Sequence, residues 1–285
     1  MDYEKLFDAI GLGSIGQKNF FELHTRCTEE DFDAAVAQAF VEYEKGDAEF
    51  DEYITAFAER EELSVEVLNL YLYIRLAKKT LEEYRARGID EEILYATLKD
   101  IPEKCLENFN KTGIYGIPQK IYRRWFRRYI GCEIFRLGRL QFQIVNSIYD
   151  TEMDNIAVSK GDTVLSVHIP AGGRLNEEDC EASYSLAREF FKKHFDMETP
   201  VFFCYSWLLQ PWLSEVLPKE SLIIRFQSKY KIIDFVNDPG DMLLWVFPQL
   251  CEKIEDYPED TTLRRATKER LIRGDIIGYG SGVRL

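Results

Sequence analysis

Histidine is scarce in this sequence. Only His24, His168 and His194 occur, with no His-Glu-x-x-His and no His-x-His spacing, so no dedicated metal site is expected. The six cysteines (Cys27, Cys105, Cys132, Cys180, Cys204, Cys251) form no C-x-x-C pair and stand among apolar or helical neighbours. That pattern argues for reduced thiols packed in cores, against disulfides or zinc. Long apolar runs are missing too. The longest, Val201 to Leu213, is broken by Gln210 and Pro211, whereas a helical bilayer span needs about 20 apolar residues. The start, Met1-Asp2-Tyr3-Glu4-Lys5, has neither the basic stretch nor the apolar stretch of a secretory leader. The expectation is a soluble, cytoplasmic chain with no membrane partner. Positive charge is also short: 36 basic against 50 acidic residues leave a net −14. Such a balance repels nucleic acid over most of the surface.

Aromatic residues are plentiful, at 14% of 285, enough to build one or two folded cores and to exclude a disordered chain. The charge is unevenly placed. Residues 1–112 hold 26 acidic and 13 basic side chains, while residues 113–139 hold seven basic ones and a single acid, Glu133. The change coincides with the turn-rich stretch Lys111 to Pro118, which predicts a helical domain over 1–116 and a second domain over 117–285.

The first part is written in helical periods. Thr28 caps a helix carrying Phe32, Val36, Ala39, Phe40 and Tyr43 and ending at Gly46; others run from Asp47 to Arg60, from Ser64 to before Gly88, and from Asp90. Pro118 to Ile130 sets Ile121, Tyr122, Trp125, Phe126, Tyr129 and Ile130 on one face and Arg123, Arg124, Arg127 and Arg128 on the other. Those arginines either meet acids and solvent or form a ridge suited to phosphate. Beyond Gly131 the period becomes two. Leu140, Phe142 and Ile144 alternate with Arg139, Gln141 and Gln143. Further strands are expected at Asp162–Ile169, Pro200–Leu209 and Asp241–Phe247, and an antiparallel pair over Leu222–Val236 around Ser228-Lys229-Tyr230. The glycine-rich tail from Gly274 to Gly282 is expected to be a loose terminus or a turn-rich edge. Gly11-x-Gly13-x-x-Gly16 follows no strand and is expected to be a turn. Ser206 lacks the glycine-flanked elbow of a serine hydrolase.

One strand–loop–helix unit carries a chemical signal. The strand Thr163 to Ile169 leads through Pro170 into Ala171-Gly172-Gly173-Arg174-Leu175, and Asn176 then caps a helix. Paired glycines allow close backbone approach, and free amides attract phosphate. Glu177, Glu178 and Asp179 occupy the helix tip, so an anion would sit over Gly172 to Leu175, with Arg174 as a charged fork.

Three segments, Phe135-Arg136-Leu137-Gly138-Arg139-Leu140-Gln141-Phe142, His168-Ile169-Pro170 and Phe203-Cys204-Tyr205-Ser206-Trp207-Leu208-Leu209, resemble a bacterial GNAT-like acyltransferase family. In it an N-acyltransferase N-terminal helical domain precedes a GNAT-like C-terminal domain, and the resemblance covers essentially the whole chain. It implies an α+β fold: a helical N-terminal domain followed by a mixed-sheet GNAT-like domain. It further implies acyl transfer from acetyl-CoA or another acyl-CoA to a small-molecule or peptide amine. The pantetheine would lie between the strands ending near Ile169 and starting near Val201, and the pyrophosphate at Ile169, Ala171, Gly172, Gly173, Arg174 and Leu175. The loop departs from the superfamily spelling Gln/Arg-x-x-Gly-x-Gly/Ala, which keeps open a catalytically inactive ligand- or protein-binding module. Direct transfer needs a base, an oxyanion donor and a proton for the leaving thiolate. His168 is the first candidate base and Glu133 the second. A backbone N–H near His168 or Ile169 is the oxyanion donor, and Tyr205 the acid. Each has a structural reading beside it: a strand histidine bonded within the sheet, an ion pair of Glu133 with Arg136, a packed tyrosine. Phe203 and Tyr205 share one face of their strand and Cys204 and Ser206 the other; which pair faces a cleft is left open.

Overall fold

The computed structural model describes residues 2–26, 30, 33–34, 36–37, 48–153, 156–198, 200–247 and 249–285. Most of the helix expected from Thr28 to Gly46 lies outside the described residues. The chain divides into two compact units, Met1–Arg136 and Leu137–Leu285.

The first unit is helical: α1 (Tyr3–Ile10), α2 (Ser14–Arg26), α3 (Ala48–Arg60), α4 (Val65–Ala86), α5 (Glu91–Leu98), α6 (Asp100–Thr112) and α7 (Gln119–Ile130). Local chemistry sets the ends. Asp2, Ser64 and Asp90 accept backbone N–H bonds at helix starts, and Gly11 and Gly113 close helices in the left-handed region. Gly11 is thus a helix end, and Gly16 lies within α2. α4 is the central element; Leu68, Tyr71, Ile74, Leu76, Ala77, Leu81 and Tyr84 are all buried.

α7 packs on α4. Phe126 stands 4.9 Å from Tyr73 between ring centroids, and Thr80 Oγ1 donates to Ile130 O at 3.2 Å. The buried Asp100 carboxylate accepts from Trp125 Nε1 at 3.0 Å and from the Tyr129 hydroxyl. Arg136, whose own N–H donates to Thr97 Oγ1, places Nη1 4.0 Å from Asp100 and 3.9 Å from Glu103. Of the α7 arginines, Arg123 is buried, Arg127 and Arg128 are half-buried, and Arg128 lies over the Trp125 ring.

The second unit holds β2 (Leu140–Asn146), β3 (Thr151–Met153), β4 (Ile156–Val158), β5 (Thr163–His168), α8 (Glu177–Phe195), β6 (Phe202–Ser206), α9 (Leu213–Val216), α10 (Leu222–Gln227), β7 (Lys231–Asn237), α11 (Pro239–Val246), α12 (Thr262–Arg273) and β8 (Gly278–Arg284). Strand β1 (Ile134–Leu137) carries the chain across the junction. The main sheet runs β1-β2-β5-β6-β8-β7, and β3 pairs with β4. Only β5 and β6 are parallel among the pairings of β2, β5, β6, β7 and β8, and α8 is their crossover. The fold is the expected α+β type.

Three expectations are corrected. Leu222–Gln227 is a helix, not a strand: Gln227 turns inward and donates to Leu208 O and Gln210 O, at 3.2 and 2.7 Å. Such tertiary anchoring outweighs the β-branched composition. Asp241–Phe247 is also helical up to Val246. Its start is the pair Asp238-Pro239, the aspartate accepting from Gly240 N and the proline entering the first turn. The tail is neither loose nor at an edge. β8 lies between β6 and β7 and is buried throughout. Its alternate glycines share one face. A Cβ on Gly280 would stand 2.3 Å from Leu209 O, and Gly278, at φ +147°, would meet the backbone of Val236 and Asp238.

Two predictions follow from these contacts. Gly280→Ala is expected to destabilise the second unit by about 1–3 kcal/mol, because its neighbour is backbone and cannot rotate away; urea unfolding against wild type measures this. Burial and the nearby Asp100 raise the Glu103 carboxyl, with Arg136 only partly opposing. Folding therefore favours its protonated form, and that contribution is lost as pH rises through the carboxyl range. Glu103→Gln should melt above wild type at pH 7, with the difference vanishing below about pH 4.

Candidate active site

The functional geometry starts from a strand pair that ends early. β5 and β6 are in register at Leu165–Phe202, Ser166–Phe203 and Val167–Cys204. β5 continues against β2 to His168–Gln141, and β6 continues against β8 to Ser206–Gly280. Past Val167 and Cys204 each strand keeps its outer partner and loses the inner one. A wedge opens there with His168 and Ile169 on one arm and Tyr205 and Ser206 on the other.

Register assigns the faces. Phe142, Val167, Phe202 and Cys204 lie under α8, where Phe142, Phe202 and the buried Tyr184 meet edge to face. Burial pushes the Cys204 thiol up to about 12, and the hydroxyls of Tyr184 and Tyr230 bond to each other beside it. The opposite face carries Gln141, Gln143, Ser166, His168, Phe203 and Tyr205. His168 Nε2 lies 3.0 Å from Gln143 Oε1. An amide oxygen only accepts, so Nε2–H is the donor in that contact. Tyr205 is 50% exposed and stacks on Tyr279 with centroids 4.4 Å apart. Tyr149 stacks parallel to Phe203 and donates its hydroxyl to Asp234 Oδ2, while Ser281 Oγ donates to that hydroxyl, both at 3.1 Å. The pair Phe203 and Tyr205 is therefore on the face opposite α8, with Tyr205 half exposed, and Cys204 is core.

Glu133 belongs to the other unit of the chain. It is exposed in the turn after α7, within the first unit, and its N–H donates to Arg128 O.

The loop after β5 is shaped from behind. Gly172 and Gly173 both have left-handed φ, near 75° and 70°. Arg139 Nε, Nη1 and Nη2 donate to the carbonyls of Arg174, Pro170 and Gly173 at 3.1, 3.0 and 3.4 Å. Gly172, Gly173 and Arg174 are exposed, with Ala171 and Leu175 half-buried. Asn176 starts α8 but spends its side chain on Asp179 Oδ2 and leaves the helix amides uncapped by it. A shallow surface depression follows, lined among others by Leu175, Cys180, Arg225 and Lys229. Arg284 closes its floor, paired with both Glu181 oxygens and lying over the Tyr184 ring.

Sequence reasoning missed Arg139, Gln143, Tyr149, Tyr279 and Ser281. Gln143 was within reach, since its place in the alternation puts it on the face opposite Phe142; the others needed the register. Among the described residues no group of three His, Cys, Asp or Glu side chains is placed to hold a metal ion, and no described helix is long and apolar enough to cross a membrane.

Similarity to known proteins agrees with this geometry. Solved structures similar to the chain include an acyltransferase in complex with decanoyl-CoA and teicoplanin, at 26% identity and a TM-score of 0.64, covering 75% of this chain and 65% of that one. A mutant acyltransferase in complex with octanoyl-CoA matches at 25% identity and TM-score 0.64, over 76% and 65%. The chain thus spans 65% of the length of both. An acyltransferase in complex with decanoyl-CoA shares the fold along 100% of this chain and 99% of that one, at 21% identity and TM-score 0.66. No curated protein matches the chain. Residues 1–132 match the N-acyltransferase N-terminal domain and residues 134–284 the GNAT-like C-terminal domain. The chain belongs to the family of GNAT-like N-acyltransferases that the resemblance in its sequence had indicated.

Proposed function

We propose that the chain is an acyl-CoA-dependent N-acyltransferase that moves an acyl group directly from CoA to an amine. The observation that carries this reading is the parting of β5 from β6 after Val167 and Cys204, with an amide-rich loop directly beyond it. The family and the acyl-CoA complexes among its structural neighbours support it.

The residues present fit such a donor. A pantetheine arm has amide groups that need backbone partners, and the wedge leaves two strand edges without each other. A pyrophosphate needs N–H donors, and Ala171, Gly172, Gly173, Arg174 and Leu175 supply them from an exposed turn, with the Arg174 guanidinium beside them. Bound there, the thioester supplies an activated acyl group.

The chain's own part is proton handling and alignment. His168 sits on the wedge with Nδ1 able to take the proton of the acceptor's ammonium, its ring held by Gln143. The Ile169 N–H, at the strand end, is placed to bind the oxyanion of the tetrahedral intermediate. Tyr205, on the facing arm and open to solvent, supplies the proton for the leaving thiolate. Glu133 enters no step. The acceptor is a small-molecule or peptide amine. A structural neighbour holds teicoplanin beside its acyl-CoA.

Calorimetric titration with acetyl-, octanoyl- and decanoyl-CoA should give saturable binding to at least one; no heat with any of them removes the enzyme reading. Binding without turnover across an amine panel would make the chain a binding module instead. With turnover in hand, His168→Ala should lower kcat by about 10²-fold or more and leave acyl-CoA affinity within about threefold of wild type. An unchanged kcat strikes His168 from its role.

A further inference from the structure

Arg139 belongs to none of the groups that would touch the donor, yet it binds the loop more heavily than any other described side chain. It projects from the turn between β1 and β2, and that turn is itself fixed. Arg139 N and Leu140 N both donate to the fully buried Ser183 Oγ, at 2.8 and 3.3 Å, and Ser183 Oγ donates in turn to Asp179 O within α8. Gly138, at φ +74°, has no room for a Cβ, which would stand 2.8 Å from Ser183 Oγ. The guanidinium is thus delivered from a rigid base, and it takes three carbonyls of one short loop: Pro170, Gly173 and Arg174.

The consequence follows from peptide geometry. In a planar trans peptide the C=O and the next N–H point in opposite directions. Turning the carbonyls of Pro170, Gly173 and Arg174 toward the guanidinium turns the N–H groups of Ala171, Arg174 and Leu175 away from it. Among the described residues no group accepts a hydrogen bond from those three amides. A cation behind the carbonyls also polarises each peptide so that its amide is a better donor on the far side. The same three bonds fix the two left-handed glycines, which have the most conformational freedom to lose.

We propose that Arg139 is a positioning residue: it holds the Pro170–Leu175 loop by its carbonyl oxygens and so presents the loop amides to the anionic part of the acyl donor. This rests on the acyl-CoA reading for what the amides meet, and on the geometry alone for how they are held. A lysine keeps the charge but lacks the planar fork that reaches three oxygens at once.

Two measurements on Arg139→Gln and Arg139→Lys test it. Trypsin cleavage of the exposed Arg174–Leu175 bond, followed by mass spectrometry without ligand, should be at least about tenfold faster in Arg139→Gln than in wild type, the equivalent of losing one charge-assisted hydrogen bond. In turnover assays Arg139→Gln should raise KM for acyl-CoA by at least about tenfold with kcat within about threefold, and Arg139→Lys should fall between it and wild type. Thermal melting of both variants shows that the fold persists, and Arg139→Lys carries the test if Arg139→Gln does not fold. Unchanged cleavage overturns the proposal, and so does faster cleavage with unchanged KM. If wild type binds no acyl-CoA, the acyl-donor reading fails, while faster cleavage still identifies Arg139 as the brace of the loop.

Discussion

The parallel ladder between β5 and β6 is three residue pairs long, and the shape of the second unit turns on its brevity. A longer ladder would zip the wedge shut, because each strand would satisfy its edge on the other. What holds the strands apart is that both are committed outward. β5 runs with β2 over six pairs, and β6 runs with β8 over five. Sheets twist by roughly 20–25° per strand, and a parallel pair tied on its outer sides diverges unless its own bonds hold it. Past Val167 and Cys204 the two strands are therefore no longer paired with each other.

β8 makes this arrangement possible, and it does so through missing side chains. The chain leaves β6 into the tight turn Trp207–Leu209, which folds back over the sheet. Leu209 then lies so close to β8 that Gly280 and Gly282 have no space for a Cβ. Gln210 completes the lock by donating to Tyr279 O at 2.8 Å. Alternating glycine on one face leaves Tyr279, Ser281 and Val283 on the other, and there Tyr279 carries Tyr205 and Ser281 carries Tyr149. One strand thus serves backbone packing on one side and side-chain chemistry on the other.

This division explains what was legible in the sequence. Elements whose signal is local were readable: the helix starts at Ser64 and Asp90, the period of two in Leu140 to Ile144, and the glycine loop after Pro170. β8 was not. Glycine lowers strand propensity, so Gly278-Tyr-Gly-Ser-Gly looked like a terminus, and the reason for each glycine is a neighbour distant in sequence: Asp238 for Gly278, Leu209 for Gly280 and Tyr230 for Gly282. The same holds for α10, whose Ile-Ile-Arg-Phe run reads as strand until Gln227 finds the carbonyls of Leu208 and Gln210. The candidate site was half legible. His168 could be placed at a strand end and Tyr205 within the strand expected over Pro200–Leu209, but that they lie on the same face on either side of the point where the ladder ends follows only from register. Arg139 was visible only as the polar half of an alternation; nothing local says that its fork turns back onto a loop 31 residues later.

The open face of the sheet poses the remaining physical question. Gln141 and Gln143 are buried on β2, and Ser281 on β8. They stand beside an apolar cluster on the same face, Val145, Val164, Phe203 and Val283, although a buried polar group costs about 1–3 kcal/mol when its bonds are incomplete and gains little when they are complete. The same sheet does use apolar residues on its other face, where Phe142, Val167, Phe202 and Cys204 pack under α8. Gln143 meets the imidazole of His168, and Ser281 meets Tyr149. Every member of this polar row whose partner is known thus holds another side chain at a set angle. Orientation of that kind gives little to stability. It is what the proposed base needs, since a proton must reach one nitrogen of the His168 ring and not the other.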